Sequence, residues 1–591
     1  RDETFTELVL EHILQVNAAD DFTLRANVDG LQADRHYYYR LLGPGDSRSR
    51  VGRSRTAPAA GQARRANLAF ASCQNYEQGH YGAWARMLAD DLAAPEEEQI
   101  DFVLHLGDFI YERAWDTLPG GAPPPRPLPP VPDGAVGEGT RHAVTLADYR
   151  YLYRTYLADP DLQAARARWP FICTWDDHEF SNDNFGSYST YGGTPRAEAQ
   201  RKLDANQAWF EYIPCVLDEL QAQPAHDFRA VELGGTESER NRQAVDSLRI
   251  YRRLSWGSQL DLLITDSRSY RTPPCVPPGL ADSLGQVMNP VQLVEITDAG
   301  RRYNAGRPPA TLPYGDGSVA NPARGREPGT ILGSEQRNWF LQQLRGSQAN
   351  WKLWGNALPM MPMRVDLGSI PFSDYEDAIF HLDPWAGYPH EQALLMSAIE
   401  QGNISGLVSL SGDHHLHAAG TLRRSASAPE EPALAVDFAV AGISSTPMFD
   451  ELYHVARESH PDFMPLVATE RGGQTVPVWN MTMLQGVLAS FAYARAGLDT
   501  VAGWLGPNPA NPGLQYMDST ANGYGLAHFH PEELQVTMVT VDRTPEPFTA
   551  APAIAHTATF RLPLWQPGEE PLLEGPIFEH GAPFPFTYAG N

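Results

Sequence analysis

Six short apolar runs in this chain each close on a side chain that can bind a metal. ANLAFASC ends at Cys73, IDFVLHLGD at Asp108, FICTWDDH at Asp176 to His178, LDLLITD at Asp266, WKLWGN at Asn356, and GLVSLSGDHH at Asp413 to His415. Thiol, carboxylate, amide and imidazole together make the donor set of a polynuclear metal site. The chemistry such a set explains best is metal-assisted hydrolysis of a phosphorus ester.

The motifs differ in weight. In GDFIYE, residues 107–112, Asp108 at a strand end can bridge two cations, and Tyr111 can reach one of them as a phenolate, a hard ligand suited to ferric iron. Taken alone, a strand followed by a turn with an ordinary Asp and Tyr explains this segment equally well. TWDDHEFSND, residues 174–183, is more specific, because two adjacent carboxylates beside His178 and Glu179 repel one another unless a cation is present. SGDHHLHAAG, residues 411–420, offers Asp413 with His414, His415 and His417. On a strand exit alternate residues share a side, so Asp413 and His415 can share a metal while His414 points elsewhere. Cys73 in ASCQN is by default a small buried hydrophobe. Its place at the end of the first α/β strand, opposite GDFIY, favours a thiolate ligand.

The elements that carry these residues follow from the texture of the chain. Continuous apolar runs read as buried parallel strands, and α/β sheets place ligands outside the strands' carboxyl ends. One rim of one sheet is therefore expected to gather all six run ends. Between them lie helical stretches such as YGAWARMLADDL, LADYRYLYRTYL, RAEAQRKLDANQAWFEYI and SEQRNWFLQQLRG, and the alternation predicts an α/β domain over 66–545. Residues 1–60 alternate apolar and polar side chains, as in FTLRANVDGL and HYYYRLLG, which predicts antiparallel strands of a small β-sandwich lacking its first strands. Two insertions rich in Pro and Gly, at 119–134 and about 273–330, are too long for ordinary connections and are expected at the rim of the site. An apolar helix is expected over 483–504, and a proline-rich tail with one strand, HTATFRLPL, over 546–591.

Bulk numbers bound the function. With 591 residues, 42% of them hydrophobic and 10% aromatic, the chain is globular and has room for more than one domain. Against 72 acidic side chains stand 45 basic ones, a formal charge of −27 that repels nucleic acid and anionic membranes over most of the surface. An anionic substrate therefore needs a local cluster of cations and arginines. No apolar run approaches the roughly 20 residues of a membrane span. Four cysteines, at 73, 173, 215 and 275, are too few for a disulfide scaffold and leave either one 215–275 bridge or free buried thiols. The acidic balance, 50 prolines, 50 glycines and few lysines suit a secreted or periplasmic bacterial enzyme, expected to be a monomer. The chain begins abruptly at Arg1, so an upstream leader is expected to be absent from it.

In this order, ASCQ, HLGDFIYE, TWDDHE, TDSRSYR, LGSEQRNWF, LWGN and LSGDHH resemble the PhoD-like alkaline phosphatase and phosphodiesterase family, part of the calcineurin-like metallophosphoesterase superfamily. DDFTLRANVDGL, YYYRL and VGRSRTAP similarly resemble that family's small N-terminal β-sandwich. The resemblance spans nearly the whole chain apart from the insertions and the tail. It implies a four-layer αββα domain preceded by an Ig-like or fibronectin-like sandwich, holding Fe3+ and one or more Ca2+ ions, with small phosphate esters as substrates. Carried over, Cys73, Tyr111 and His415 would bind the iron, with Asp108 bridging to a divalent cation. Asp177-His178-Glu179 stands where relatives have Asn-His-Glu/Asp, so Asp177 replaces the usual asparagine ligand, and Asp176 next door is the alternative. Asn356 and Asp413 are the remaining ligands implied for the second metal. In NPGLQY, 511–516, glycine follows NP where relatives often have histidine, which leaves any late histidine role open.

The mechanism then expected is in-line attack on phosphorus by a metal-bound hydroxide. His178 would act as general acid or oxyanion stabiliser, and Arg268 or Arg271 in SRSYR would grip the phosphate, unless each only closes a rim salt bridge. The same scaffold could serve diesters, phosphotriesters or sulfate esters, since pocket walls fix the ester and the metals do not. A cell-surface binding protein with structural metals is the reading from another class. The joint presence of Cys73, Asp108, His178 and His415 speaks against it. Redox chemistry on the iron is the weakest option, because phenolate and thiolate ligation favour a fixed ferric state.

Overall fold

All six apolar runs become strands, but they divide between two sheets instead of lining one. The computed structural model describes residues 4–587 apart from 116, 119–120, 138, 192–193, 216–227, 278, 281–287 and 315–316. One seven-stranded sheet has the order Glu574–Glu579, Ile554–Pro563, Glu533–Val541, Gly523–Phe529, Ala66–Ala71, Phe102–His105, Phe171–Cys173. The other has the order Arg252–Trp256, Leu260–Ile264, Trp351–Gly355, Leu407–Ser411, Ala435–Ala439, His417–Leu422, Leu514–Asp518. The strands that carry the site pair in parallel within each sheet.

The expectation of a single sheet fails for a physical reason. A strand covered by helices on one face and by a second sheet on the other is buried on both faces, so it reads as the same unbroken apolar run. Between the sheets, Leu68, Phe70 and Leu104 pack with Ile264, Leu353, Leu410 and Phe438. Helices Gly82–Ala93, Leu146–Leu157 and Ala199–Tyr212 cover the first sheet's outer face through Trp84, Tyr149 and Trp209. Gly333–Gly346, Pro389–Gln401 and Met448–Ser459 cover the second through Phe340, Leu395 and Phe449. The layers are thus helix, sheet, sheet, helix.

Three segments depart from expectation. The tail expected from 546 is no appendage: Ile554–Pro563 lies between Glu533–Val541 and Glu574–Glu579 in the first sheet, paired in register Thr537 to Thr559 and Ala558 to Phe578. Its prolines punctuate strand ends and hide two ladders. The helix expected over 483–504 is three, Trp479–Gln485, Val487–Ala494 and Asp499–Trp504: Gly486 at φ +98°, with the Val487 N–H on the Asp366 carboxylate at 2.9 Å, parts the first from the second, and Gly497 at φ +64° lies between the second and the third. Within 4–60, the described strands are one hairpin, His36–Tyr39 with Gly52–Arg55. Among the described residues FTLRANVDGL pairs with no strand and no second sheet covers it, and Leu24 and Val28 stay exposed. Arg25 of that stretch anchors it, donating to the carbonyls of Ile213 and Cys215 at 2.9 and 2.5 Å.

Candidate metal centre

The site forms where the carboxyl rims of the two sheets meet. Ser72 pairs with Gly442 across the junction, the Cys73 N–H donates to the Gly107 carbonyl at 3.3 Å, and the Gln74 N–H donates to the Asp108 carbonyl at 3.2 Å. At the ends of these strands the backbone turns left-handed at non-glycine residues: Cys73 at φ +55°, Asp108 at +56°, Asp413 at +64° and His415 at +51°. Such conformations cost about 1–3 kcal/mol each and cluster at functional sites. Gly107, at φ +105°, permits a close approach, since a Cβ there would lie 2.5 Å from the Asp176 Cβ.

Four side chains converge first. The Cys73 thiol donates to Asp108 Oδ2 at 3.4 Å, and the Tyr111 hydroxyl lies 3.2 Å from that oxygen, 3.1 Å from His415 Nε2 and 2.8 Å from Ser445 Oγ. His415 Nδ1 donates to the Thr446 carbonyl at 2.9 Å, an assignment that leaves the Nε2 lone pair facing the cluster. Burial, then the Asp108 charge, pushes the Cys73 thiol and the Tyr111 phenol upward. Both would ionise only beside a cation.

A second group adjoins it. Carboxylate oxygens of Asp176, Asp177 and Asp413 lie within 4.8 Å of one another, and Asp108, Asp177 and His178 meet the same criterion. Asp176 Oδ2, Asp177 Oδ1 and Asp413 Oδ2 are buried without a hydrogen-bond partner among the described residues. Burial, then neighbouring acids, raises the Asp108 carboxyl, and burial raises those of Asp176 and Asp413 even against the nearby Arg268. Buried acids packed as closely as Asp176, Asp177 and Asp413, each with one oxygen left without a hydrogen bond, are the arrangement a multivalent cation resolves. Asn356 is buried at its strand end, where its Oδ1 accepts from Trp385 Nε1 at 3.3 Å. Asp266, also at a run end, is structural: it accepts from Trp175 Nε1 at 2.9 Å and from the Arg268 N–H at 3.0 Å.

The profile of the PhoD-like phosphatase family matches residues 68–474, and that of the family's N-terminal domain matches residues 1–58. The chain belongs to the PhoD-like phosphatase family. Alkaline phosphatase D of Bacillus subtilis (strain 168) is 26% identical over 423 residues, which are 71% of this chain and 58% of that protein. The chain thus matches less than two thirds of that relative's length. A solved structure titled "Structure of PhoD" shares the fold at a TM-score of 0.66 and 22% identity, covering 97% of this chain and 83% of the other.

In this PhoD-like chain the second half of the DDHE motif has two different tasks. His178 Nδ1 lies 2.6 Å from Glu112 Oε2, whose other oxygen accepts from the Asn182 N–H at 3.1 Å and from the Tyr191 hydroxyl. Burial alone would lower the His178 pKa, but the Asp177 and Glu112 charges outweigh it and the net shift is upward. Glu179 instead ties the loops together, accepting from the Phe109 N–H at 2.6 Å, Asp176 N–H at 2.8 Å and Asp108 N–H at 3.1 Å.

Arg268 is brought to the site fully buried, with Nε on Asp176 at 2.5 Å and Nη1 on Asp383 at 2.9 Å. Its Nη2 has no hydrogen-bond partner among the described residues and lies 3.7 Å from Asp413. Arg271 is turned toward the Asp383 carbonyl and Tyr388. Sequence reasoning missed Glu112, Asp383, Ser445 and Thr446 as parts of the site. Glu112 was inside GDFIYE, and the apolar run AVDFAVAGI ahead of Ser444 has the same texture as the other six. Asp383, in LDPW, carries no such signal.

Proposed function

We propose that this protein is a metal-dependent phosphoric ester hydrolase acting on small phosphate monoesters and diesters. The observation that carries the reading is the convergence of Cys73, Asp108, Tyr111 and His415 beside the unpaired oxygens of Asp176, Asp177 and Asp413. The thiol, phenol and imidazole set suits Fe3+, and the oxygen-rich set, with the Asn356 amide at the same rim, suits Ca2+. Asp108, within reach of both groups, would be the bridge. Asp177 and Asp413 are the better second-site carboxylates, because Asp176 has its charge paired with the Arg268 guanidinium, whereas Asp177 gives its engaged oxygen only to the Asp183 N–H.

Bound cations of this kind supply a water of lowered pKa and neutralise charge on the phosphoryl oxygens. His178, held by Glu112, presents Nε2 as the proton donor to the leaving oxygen. With Nε turned to Asp176 and Nη1 to Asp383, Arg268 has the two N–H groups of Nη2 left to offer a phosphate oxygen. The family match over 1–58 supports reading the hairpin as part of an N-terminal β-sandwich. Among the described residues no helix is long and apolar enough to cross a membrane, and the acidic composition supports a secreted or periplasmic monomer.

The test is a panel of p-nitrophenyl monoester, diester, phosphotriester and sulfate ester, assayed with metal analysis of the same sample. Turnover of the monoester or diester with iron and calcium bound is expected. Turnover of the triester or sulfate ester alone would move the assignment to those substrates, and a fully loaded, inert protein would favour a binding role. Iron has its own signature, a visible charge-transfer band altered by Tyr111→Phe and by Cys73→Ser. An active, colourless, iron-free enzyme would remove iron from the reading.

A further inference from the structure

Two of the cysteines outside the metal centre meet. Cys173 ends the strand Phe171–Cys173, and Cys215 follows the helix Ala199–Tyr212. Both are buried, at 2% and 7% exposure. The Cys215 thiol points at Cys173 and donates to its carbonyl oxygen at 3.9 Å. The 215–275 bridge left open by the sequence is excluded by the fold. Cys275 sits in a separate small core with Val294 and Leu312, its sulfur 3.5 Å from the Gly387 carbonyl.

We propose that Cys173 and Cys215 form a disulfide, tying helix Ala199–Tyr212 to the strand that feeds the Asp176-Asp177-His178 loop. The site is built for the exchange. Arg252 Nη2 holds the Cys173 carbonyl at 2.9 Å, and Arg25 Nη1 holds the Cys215 carbonyl at 2.5 Å, so both cysteine backbones are fixed by guanidinium groups. Proximity to Cys173, helped by the two arginines, draws the Cys215 thiol below its usual range, while Cys173 is held above it. Cys215, the more exposed of the two at 7% against 2%, is the thiol an external disulfide meets first, and Cys173 behind it is the resolving thiol.

The chemistry balances with an external low-molecular-weight disulfide as oxidant. The Cys215 thiolate attacks one sulfur of that disulfide, forming a mixed disulfide and expelling one thiolate. Cys173 loses its proton, attacks the Cys215 sulfur and expels the second. The two protein thiols are oxidised, and the external disulfide is reduced to two thiols. The closed loop spans a sequence separation of 42 and contains the whole DDHE motif. Closing it removes conformational freedom from the unfolded chain.

The experiment treats the native, metal-loaded protein with oxidised glutathione, blocks free thiols with iodoacetamide and maps the peptides by mass spectrometry. A linked pair holding Cys173 and Cys215, lighter than the two reduced peptides by two hydrogens and lost on adding dithiothreitol, is expected, together with a higher Tm for the oxidised form. In Cys173→Ser, glutathione should remain trapped on Cys215, whereas in Cys215→Ser residue Cys173 should stay free. Wild-type protein in which both cysteines are carbamidomethylated after oxidation, or in which either pairs with Cys73 or Cys275, would overturn the proposal. Peptide mapping of the wild type decides the matter even where a variant fails to fold.

Discussion

Of the two anions that keep His178 protonated, Asp177 is a candidate ligand and Glu112 is not, so Glu112→Gln is the clean perturbation of the acid. The replacement keeps the shape that accepts from Asn182 but removes the buried negative charge 2.6 Å from His178 Nδ1. A buried hydrogen bond to a charged group is worth about 1.5–3 kcal/mol. At 1.36 kcal/mol per pKa unit, the His178 pKa should fall by about 1–2 units. The direction follows from the role: an acid must carry its proton, so lowering its pKa moves the alkaline limb of kcat/KM to lower pH by the same amount. The assay is that pH profile measured on an alkyl phosphate and on p-nitrophenyl phosphate, alongside metal analysis. Metal content should hold, and only the alkyl substrate, whose leaving oxygen needs the proton, should show the full displacement. Above the displaced limb its rate should tend toward that of His178→Asn, a loss within the 10²- to 10⁴-fold range of a general acid. A wild-type profile on the alkyl phosphate, or equal displacement on both substrates, refutes proton donation by His178.

Asp108→Asn should lose most bound metal and nearly all activity while the far-ultraviolet circular dichroism stays native, because the apolar strand Phe102–His105 is untouched; metal content at the wild-type level would show that the bridge lies elsewhere. Asp383→Asn removes the carboxylate that holds Arg268 Nη1 and faces Arg271 at 3.1 Å. Breaking this buried pair should cost about 3–5 kcal/mol of stability, read as a lower denaturation midpoint. KM for phosphate esters should rise about tenfold with metal content retained. An unchanged KM would separate Arg268 from substrate binding.

What the sequence made legible tracks what is local. GDFIYE, DDHE and GDHH each place their residues at strand ends by short-range geometry, and the structure finds Asp108, Tyr111, His178, Asp413 and His415 within one site. The helices were equally plain, and Leu146–Leu157 even carries its start signal, a capping box between Thr145 and Asp148. Partition of the strands was not legible, because burial on both faces erases the alternation that would separate one sheet from two. The Arg268 network was hidden for another reason. Asp176, Asp383 and Asp413 lie far from it and from one another in the chain, and only the packed rims put them against one guanidinium.

The same division between sheets makes a prediction about metal removal. Each ligand set draws on both sheets: Cys73, Asp108 and Tyr111 follow strands of the first and His415 a strand of the second, just as Asp176 and Asp177 face Asp413. Cations bound there would therefore staple the two rims together, and a chelator should lower Tm as well as activity. Ligand at 1,000 times its Kd stabilises the folded state by about 4.1 kcal/mol. The pH dependence should also change. Without cations, Asp108, Asp176 and Asp413 have folded pKa values raised above the ordinary carboxylate value, and Glu179 is raised to about 7. A raised acid contributes stability fully present below its unfolded pKa, about 4, and loses it as pH climbs through the folded value. Asp177, lowered to about 2, acts in the opposite sense, as do the lowered Glu112 and Asp383, but the change they bring is complete below about pH 4 and lies outside the pH 5–8 window. Buried histidines such as His105 and His414, lowered to about 3, and His417, lowered to about 4, titrate in the opposite sense whether or not metal is bound. The quantity that isolates the site is therefore the Tm difference between loaded and chelated protein, which should be larger at pH 8 than at pH 5. The difference grows with pH because the ligands must be deprotonated to bind. Scanning fluorimetry across that range, with and without chelator, reads both curves. Parallel curves would mean that the two rims are held together without help from the metals.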